Sequence, residues 1–335
     1  MGNLGQTRMS EFVSPGATRR ELLLRSAVAA SGLIAPGCIR RRSGKLAVIP
    51  KTTAINYWED MRVGAVTAAS HLGLRVIWTA PQTETNFAQQ ASILEDVIRQ
   101  RVDGIVLAPS HGSVLASGVR HARAENIPLV IVDSPVAVDR SEFLAYIGSD
   151  PERIGTLAAM RMGEILDGKG EIAILGVTPT LEASVQREQA FAAVVAAKFP
   201  GIRIVEVQYG LSDLARSRAI VADILAGRPG LAAVFASDYF AVRGASAAIR
   251  DFKPRGVRLI GVAQEYDLLN YIRRGFVDSL VIQDPYSMGR SAVEILGAAL
   301  QGRYRGPTRI QTRVALATRE NLAGSTTIAE FLSKS

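Results

Sequence analysis

A chain of 335 residues with 48% hydrophobic and 21% charged residues is long enough for two cores and too apolar to be disordered. Its single cysteine excludes a disulfide framework and a Cys-rich metal site, and three scattered histidines (His71, His111, His121) give no paired metal-ligand spacing. Of the net charge of +8, residues 1–42 carry +5, so the remainder is nearly neutral at +3 and offers no basic stripe for nucleic acid.

Residues 1–42 read as an export signal. The adjacent Arg19 and Arg20 precede an apolar stretch and resemble a twin-arginine signal. The small and apolar run at 26–35 falls short of the ~20 residues a bilayer span needs and suits a signal-peptide core. Ala35-Pro36-Gly37 then precede Cys38 in the manner of a lipoprotein processing site. Ala35 stands where such sites usually have Leu, and Arg40-Arg41-Arg42 follows the cysteine after one intervening residue. Acylation of Cys38 and release without a lipid are both open.

From 46 onward, short apolar runs alternate with amphipathic helical stretches. LAVI (46–49) precedes a helix expected at 57–72, and RVIWT (75–79) one at 86–100. GIVLA (104–108) precedes a helix at 113–125, LVIVD (129–133) follows, and a further strand is expected at 143–147. Ser149-Asp150-Pro151 reads as an N-cap with proline in the first turn of a helix to 166. IAILG (172–176), IRIVEV (202–207), LAAVFA (231–236), VRLIGV (257–262) and SLVI (279–282) continue the series, with helices at 183–199, 212–226, 239–251 and 265–274. Repeated strand–helix units argue for an α/β protein with doubly wound parallel sheets. In such sheets ligands sit beyond the carboxyl ends of the strands, where strand order reverses.

Several chemistries lack their residues. Gly168-Lys169-Gly170 precedes a strand and so reads as a turn, not a phosphate loop. No GxGxxG, Walker or GxSxG pattern occurs, so no cofactor and no catalysis are expected.

A set of segments then carries a resemblance. They are Asn56-Tyr57-Trp58 with Gly64, VDGIVLAP (102–109), NIPLVIVD (126–133), Gly148-Ser149-Asp150, QREQAF (186–191), AVFASD (233–238), and Ile282-Gln283-Asp284-Pro285 with Gly289. In this order and spacing the chain resembles the sugar-type periplasmic substrate-binding proteins of ABC importers, the ribose- and galactose-binding group. The resemblance covers about residues 45–320. It implies two Rossmann-like lobes joined by a three-stranded hinge, with a ligand cleft between them. The lobes would comprise 45–148 with 284–308 and 149–283 with 309–322, leaving 323–335 as a tail. It also implies a monomeric periplasmic receptor for a monosaccharide or polyol, partnered by an inner-membrane permease. The alternative is the ligand-sensing core of a lactose-repressor-type regulator, which shares this body. Residues 1–44 show no two-helix pattern with a recognition helix.

The resemblance assigns ligand contacts that suit sugar chemistry: aromatic platforms for the ring and polar groups for its edges. Tyr57 and Trp58 would stack, while Asn56 occupies a slot that is often proline. Asp133 would accept two hydroxyls, and Ser134 replaces the Arg that follows it in ribose-type members. Arg187 would donate a planar fork, Asp238 and Gln283 would bond hydroxyls, and Ser212 is a lesser candidate. Ala263 stands where the family commonly has Asp, so Gln264 or Glu265 would substitute, or that corner meets a less hydroxylated ligand.

Overall fold

The computed structural model describes residues 44–254, 256–306 and 309–322; the expected export signal with Cys38 and the tail 323–335 lie outside them. The first half of the described chain builds β1 (Lys45–Ile49), α1 (Asn56–Leu72), β2 (Arg75–Trp78), α2 (Phe87–Arg99) and β3 (Gly104–Leu107). It continues through α3 (Ala116–Ala124), β4 (Leu129–Val132) and β5 (Ala145–Ser149). Asp150 then caps α4 (Pro151–Ile165), accepting the N–H groups of Glu152 and Arg153, with Pro151 in the first turn.

A second series follows: β6 (Lys169–Gly176), α5 (Glu182–Lys198), β7 (Gly201–Tyr209), α6 (Leu214–Gly227) and β8 (Leu231–Ala236). Then come α7 (Tyr239–Phe252), β9 (Arg258–Val262), α8 (Tyr266–Arg274) and β10 (Ser279–Gln283). The chain returns through α9 (Pro285–Leu300) to β11 (Arg309–Thr312) and ends in β12 (Val314–Thr318).

Two six-stranded sheets result, ordered β11-β5-β4-β3-β1-β2 and β12-β10-β9-β8-β6-β7. The first is parallel throughout; in the second only the β10–β12 pair is antiparallel. Strand order reverses beside β1 in one sheet and beside β6 in the other, which fixes where a crevice can open.

Each sheet is buried on both faces. Leu46, Val48, Val106 and Val130 pack against Met61 and Ala65 of α1 and Val293 and Leu296 of α9. Their alternate neighbours Ala47, Ile49, Ile105 and Leu107 meet Leu94 and Val119 on α2 and α3. In the second sheet Ile172, Ile174, Phe235 and Ile260 face α4 and α5, while Leu175, Val234 and Leu259 face α6 to α8. This two-sided burial is why the strands read as unbroken apolar runs.

The strand pairing corrects one expected boundary. The expectation places 309–322 whole in the second lobe, yet Arg309–Thr312 pairs in parallel with β5 of the first sheet. The last passage between sheets therefore falls at Arg313. The passages are stitched to one another: Ser149 Oγ lies 3.0 Å from Thr312 Oγ1, and Arg313 donates to the buried Asp284 at 3.1 Å.

Helices α1 and α9 touch backbone to backbone through two glycines. A Cβ on Gly64 would lie 2.0 Å from the Tyr286 carbonyl oxygen, and one on Gly289 would lie 2.0 Å from that of Met61. Gly64→Ala and Gly289→Ala should each destabilise the protein by about 1–3 kcal/mol through overpacking, read as a lower urea midpoint at unchanged slope.

Candidate functional site

One cavity gathers side chains from the carboxyl ends of both sheets. The first lobe supplies Lys51 from just beyond β1, Tyr57 and Trp58 from the start of α1, Glu84 from the loop after β2, and Asp133 from the end of β4. The second supplies Arg187 on α5, Asp238, Tyr239 and Phe240 after β8, Ala263, Gln264 and Glu265 after β9, and Gln283 at the end of β10.

A buried ionic knot forms the first wall. Lys51 is 3% exposed, and its Nζ donates to Asp133 Oδ2 at 2.5 Å and to Ser134 Oγ at 2.6 Å. Tyr57 donates its hydroxyl to Asp133 Oδ1 at 2.8 Å. Asp133 itself has φ +63, a left-handed conformation that Asp tolerates better than most residues. Burial pushes its carboxyl up, but the Lys51 ammonium and the bonds from Lys51 and Tyr57 outweigh that and hold it below its usual range. Tyr57 moves the other way: burial and then the Asp133 charge raise its phenol well above normal, so it stays a donor.

The aromatic pair is packed edge to face, with ring centroids 4.8 Å apart at 86°. Trp58 Nε1 donates to Glu84 Oε1 at 3.0 Å, and Lys51 Nζ lies 5.8 Å from the Trp58 ring centroid. Burial raises the Glu84 carboxyl despite Lys51 and Trp58.

The opposite wall is less fully paired. Arg187 is buried and its guanidinium donates to the Ser237 carbonyl, while its Nε has no hydrogen-bond partner. Its acidic neighbours on α5 are engaged elsewhere: Glu182 accepts from Gln186 and Glu188 from Ser237 Oγ. Asp238 caps α7 by accepting the Ala241 N–H at 2.6 Å, and burial pushes its carboxyl up to about 7. Glu265 accepts the Gln264 N–H at 3.2 Å through one oxygen, and burial pushes it up to about 7 as well. Gln264 reaches across to the first lobe, donating to Asp60 Oδ2 at 2.9 Å and accepting the Gln283 N–H at 3.2 Å.

Seven of the expected contact residues thus line one cavity: Tyr57, Trp58, Asp133, Arg187, Asp238, Gln264 and Gln283. Three do not. Asn56 opens α1 and is exposed. Ser134 lies behind the wall, holding Lys51. Ser212, at φ +55 in the turn after β7, has a buried hydroxyl away from the lining. Lys51, Glu84, Tyr239 and Phe240 were not singled out from sequence. Lys51, Tyr239 and Phe240 follow the ends of apolar runs, which is the positional signal that applied to Asp133 and Asp238.

Comparison with known proteins places this geometry in context. Residues 46–303 match the periplasmic binding protein domain family. A ribose import binding protein of Bacillus subtilis is 26% identical over 262 residues, covering 77% of this chain and 83% of that protein. A carbohydrate transporter solute-binding protein from Agrobacterium radiobacter, solved with D-arabinose, superposes with a TM-score of 0.82 at 26% identity, covering 87% of this chain and 99% of that one. An ABC transporter solute-binding protein from Agrobacterium vitis with bound D-fucose gives a TM-score of 0.82 at 27% identity, covering 85% and 99%. The matched family is one of binding proteins rather than enzymes.

The raised carboxyls set a pH dependence. Burial pushes Asp238 and Glu265 up to about 7 in the folded chain, against an ordinary carboxyl value of about 4 in an unfolded one. Their contribution to stability is therefore greatest below about pH 4 and is lost as pH rises towards 7. The ligand-free protein should melt at least about 2 °C higher at pH 5 than at pH 7.5, and Asp238→Asn with Glu265→Gln should shrink that gap in a thermal melt.

Proposed function

We propose that this chain, which belongs to the periplasmic binding protein family, is the solute receptor of an ABC importer and holds a monosaccharide or related polyol between its lobes. The observation that carries this reading is the shared cavity. Tyr57, Trp58 and Asp133 from one sheet and Arg187, Asp238 and Gln264 from the other face a single space beside the passage at Gln283. A sugar needs polar groups around its edge and apolar faces above and below, and this lining supplies both. The protein performs no chemistry on the ligand.

Closure follows from the connectivity. Three narrow passages join the lobes, and rotation about them brings the two walls together; periplasmic binding proteins are a known case of that motion. Micromolar binding corresponds to about −8 kcal/mol, within reach of a few charge-assisted bonds and a packed ring after ordering costs. The paired arginines at 19 and 20 support export by the twin-arginine route, and Cys38 is the position for a lipid anchor at the membrane surface. The receptor acts as a monomer and delivers its ligand to an inner-membrane permease.

Thermal-shift screening of pentoses, hexoses and polyols tests the reading. A member of the panel should raise the melting temperature of the wild type. Asp133→Asn and Arg187→Ala should each weaken that ligand by about 100-fold in titration calorimetry with unchanged circular dichroism. Wild-type affinity in both variants would refute the site.

A further inference from the structure

The two walls of the cavity differ in how their charges are answered. Four carboxylates line it, Glu84, Asp133, Asp238 and Glu265, against two cations, Lys51 and Arg187. Both cations are engaged by other groups: Lys51 by Asp133 and Ser134, and Arg187 by the Ser237 carbonyl. Asp133 accepts from Lys51 and Tyr57, Glu84 from Trp58, and Asp238 from the first turn of α7.

Glu265 is the exception. It is 3% exposed, lines the cavity, and its Oε1 is buried with no hydrogen-bond partner. Asp60 and Asp267, which act on its charge, are both acidic. Asp60 is engaged with Gln264, and Asp267 with Arg243 at 2.8 Å. Ala263, two residues before it in the lining, has no side-chain group that could hydrogen-bond.

A buried carboxylate oxygen in this position calls for a donor, and its charge calls for a cation. A ligand hydroxyl satisfies the first need only. A ligand ammonium satisfies both and makes the shorter, stronger kind of hydrogen bond. We infer that the Glu265 corner receives a protonated amine, so that the preferred ligand is an amino sugar or an aminated polyol. This rests on the reading of the cavity as the ligand cleft and specifies the class of ligand within it.

The test compares matched pairs by titration calorimetry with the wild-type chain at pH 7.5: D-glucosamine with D-glucose, D-galactosamine with D-galactose, D-mannosamine with D-mannose, and 1-amino-1-deoxy-sorbitol with sorbitol. At least one amine should bind about tenfold or more tightly than its hydroxyl parent, and Glu265→Gln should erase that preference. Tighter binding of every hydroxyl parent by the wild type would overturn the inference and leave the receptor reading standing. An amine preference that survives in folded Glu265→Gln would also overturn it. Failure of both series to bind would overturn the amine assignment, while the receptor reading is decided by the wider screen of pentoses, hexoses and polyols. Should Glu265→Gln not fold, Glu265→Asp replaces it, and a preference undiminished by the shorter side chain would count against the assignment.

Discussion

The Lys51–Asp133 pair is the interaction on which the first wall of the cleft depends. It joins the end of β1 to the end of β4, 82 residues apart in sequence, and it does so out of water. Burying two charges is costly unless geometry is good and the remaining lone pairs are filled. Here they are filled: Ser134 takes a second Lys51 bond and Tyr57 takes the other Asp133 oxygen. The same knot ties down the start of α1 through the Tyr57 hydroxyl, while Trp58 is held by its bond to Glu84. The knot favours the ionised form of Asp133 and the protonated form of Tyr57, which sets the acceptor and donor roles of this pair.

The second wall is built differently. Its polar groups are tied to backbone, Arg187 to the Ser237 carbonyl and Asp238 to the first turn of α7, and two of its carboxyls sit near neutral pH instead of far below it. Unfilled bonding capacity collects there, at Arg187 Nε and Glu265 Oε1. Among the described residues lining the cavity, the buried side-chain atoms without a partner are all on the second wall. That asymmetry suits a receptor whose second wall acquires its missing partners from what it binds.

Much of this was legible in the chain. Sheets buried on both faces leave apolar runs such as IVL at 105–107 and VIV at 130–132, and the alternation of such runs with helices gave the α/β architecture. The last strands were not readable in this way. RIQT in β11 is only half-buried at a sheet edge, so it shows no apolar run, and the final passage was placed a strand too early. Within the cavity, Asp133 and Asp238 stood out because a carboxylate directly after an apolar run is conspicuous. Lys51 did not, since a lysine past a strand reads as solvent-exposed until its distant partner is seen. Glu84 lies in a polar loop where nothing local marks burial. Asn56 differs from the two residues after it by its place on the helix: Tyr57 and Trp58 turn inward and Asn56 turns out.

The glycine seam between α1 and α9 has a mechanical corollary. One of these helices begins with the aromatic platform, and the other begins immediately after the passage at Asp284. Packed main chain to main chain at Gly64 and Gly289, they have little room to slide past one another. The aromatic platform and the helix that leaves the passage at Asp284 are thereby coupled, and the first lobe carries both as one piece.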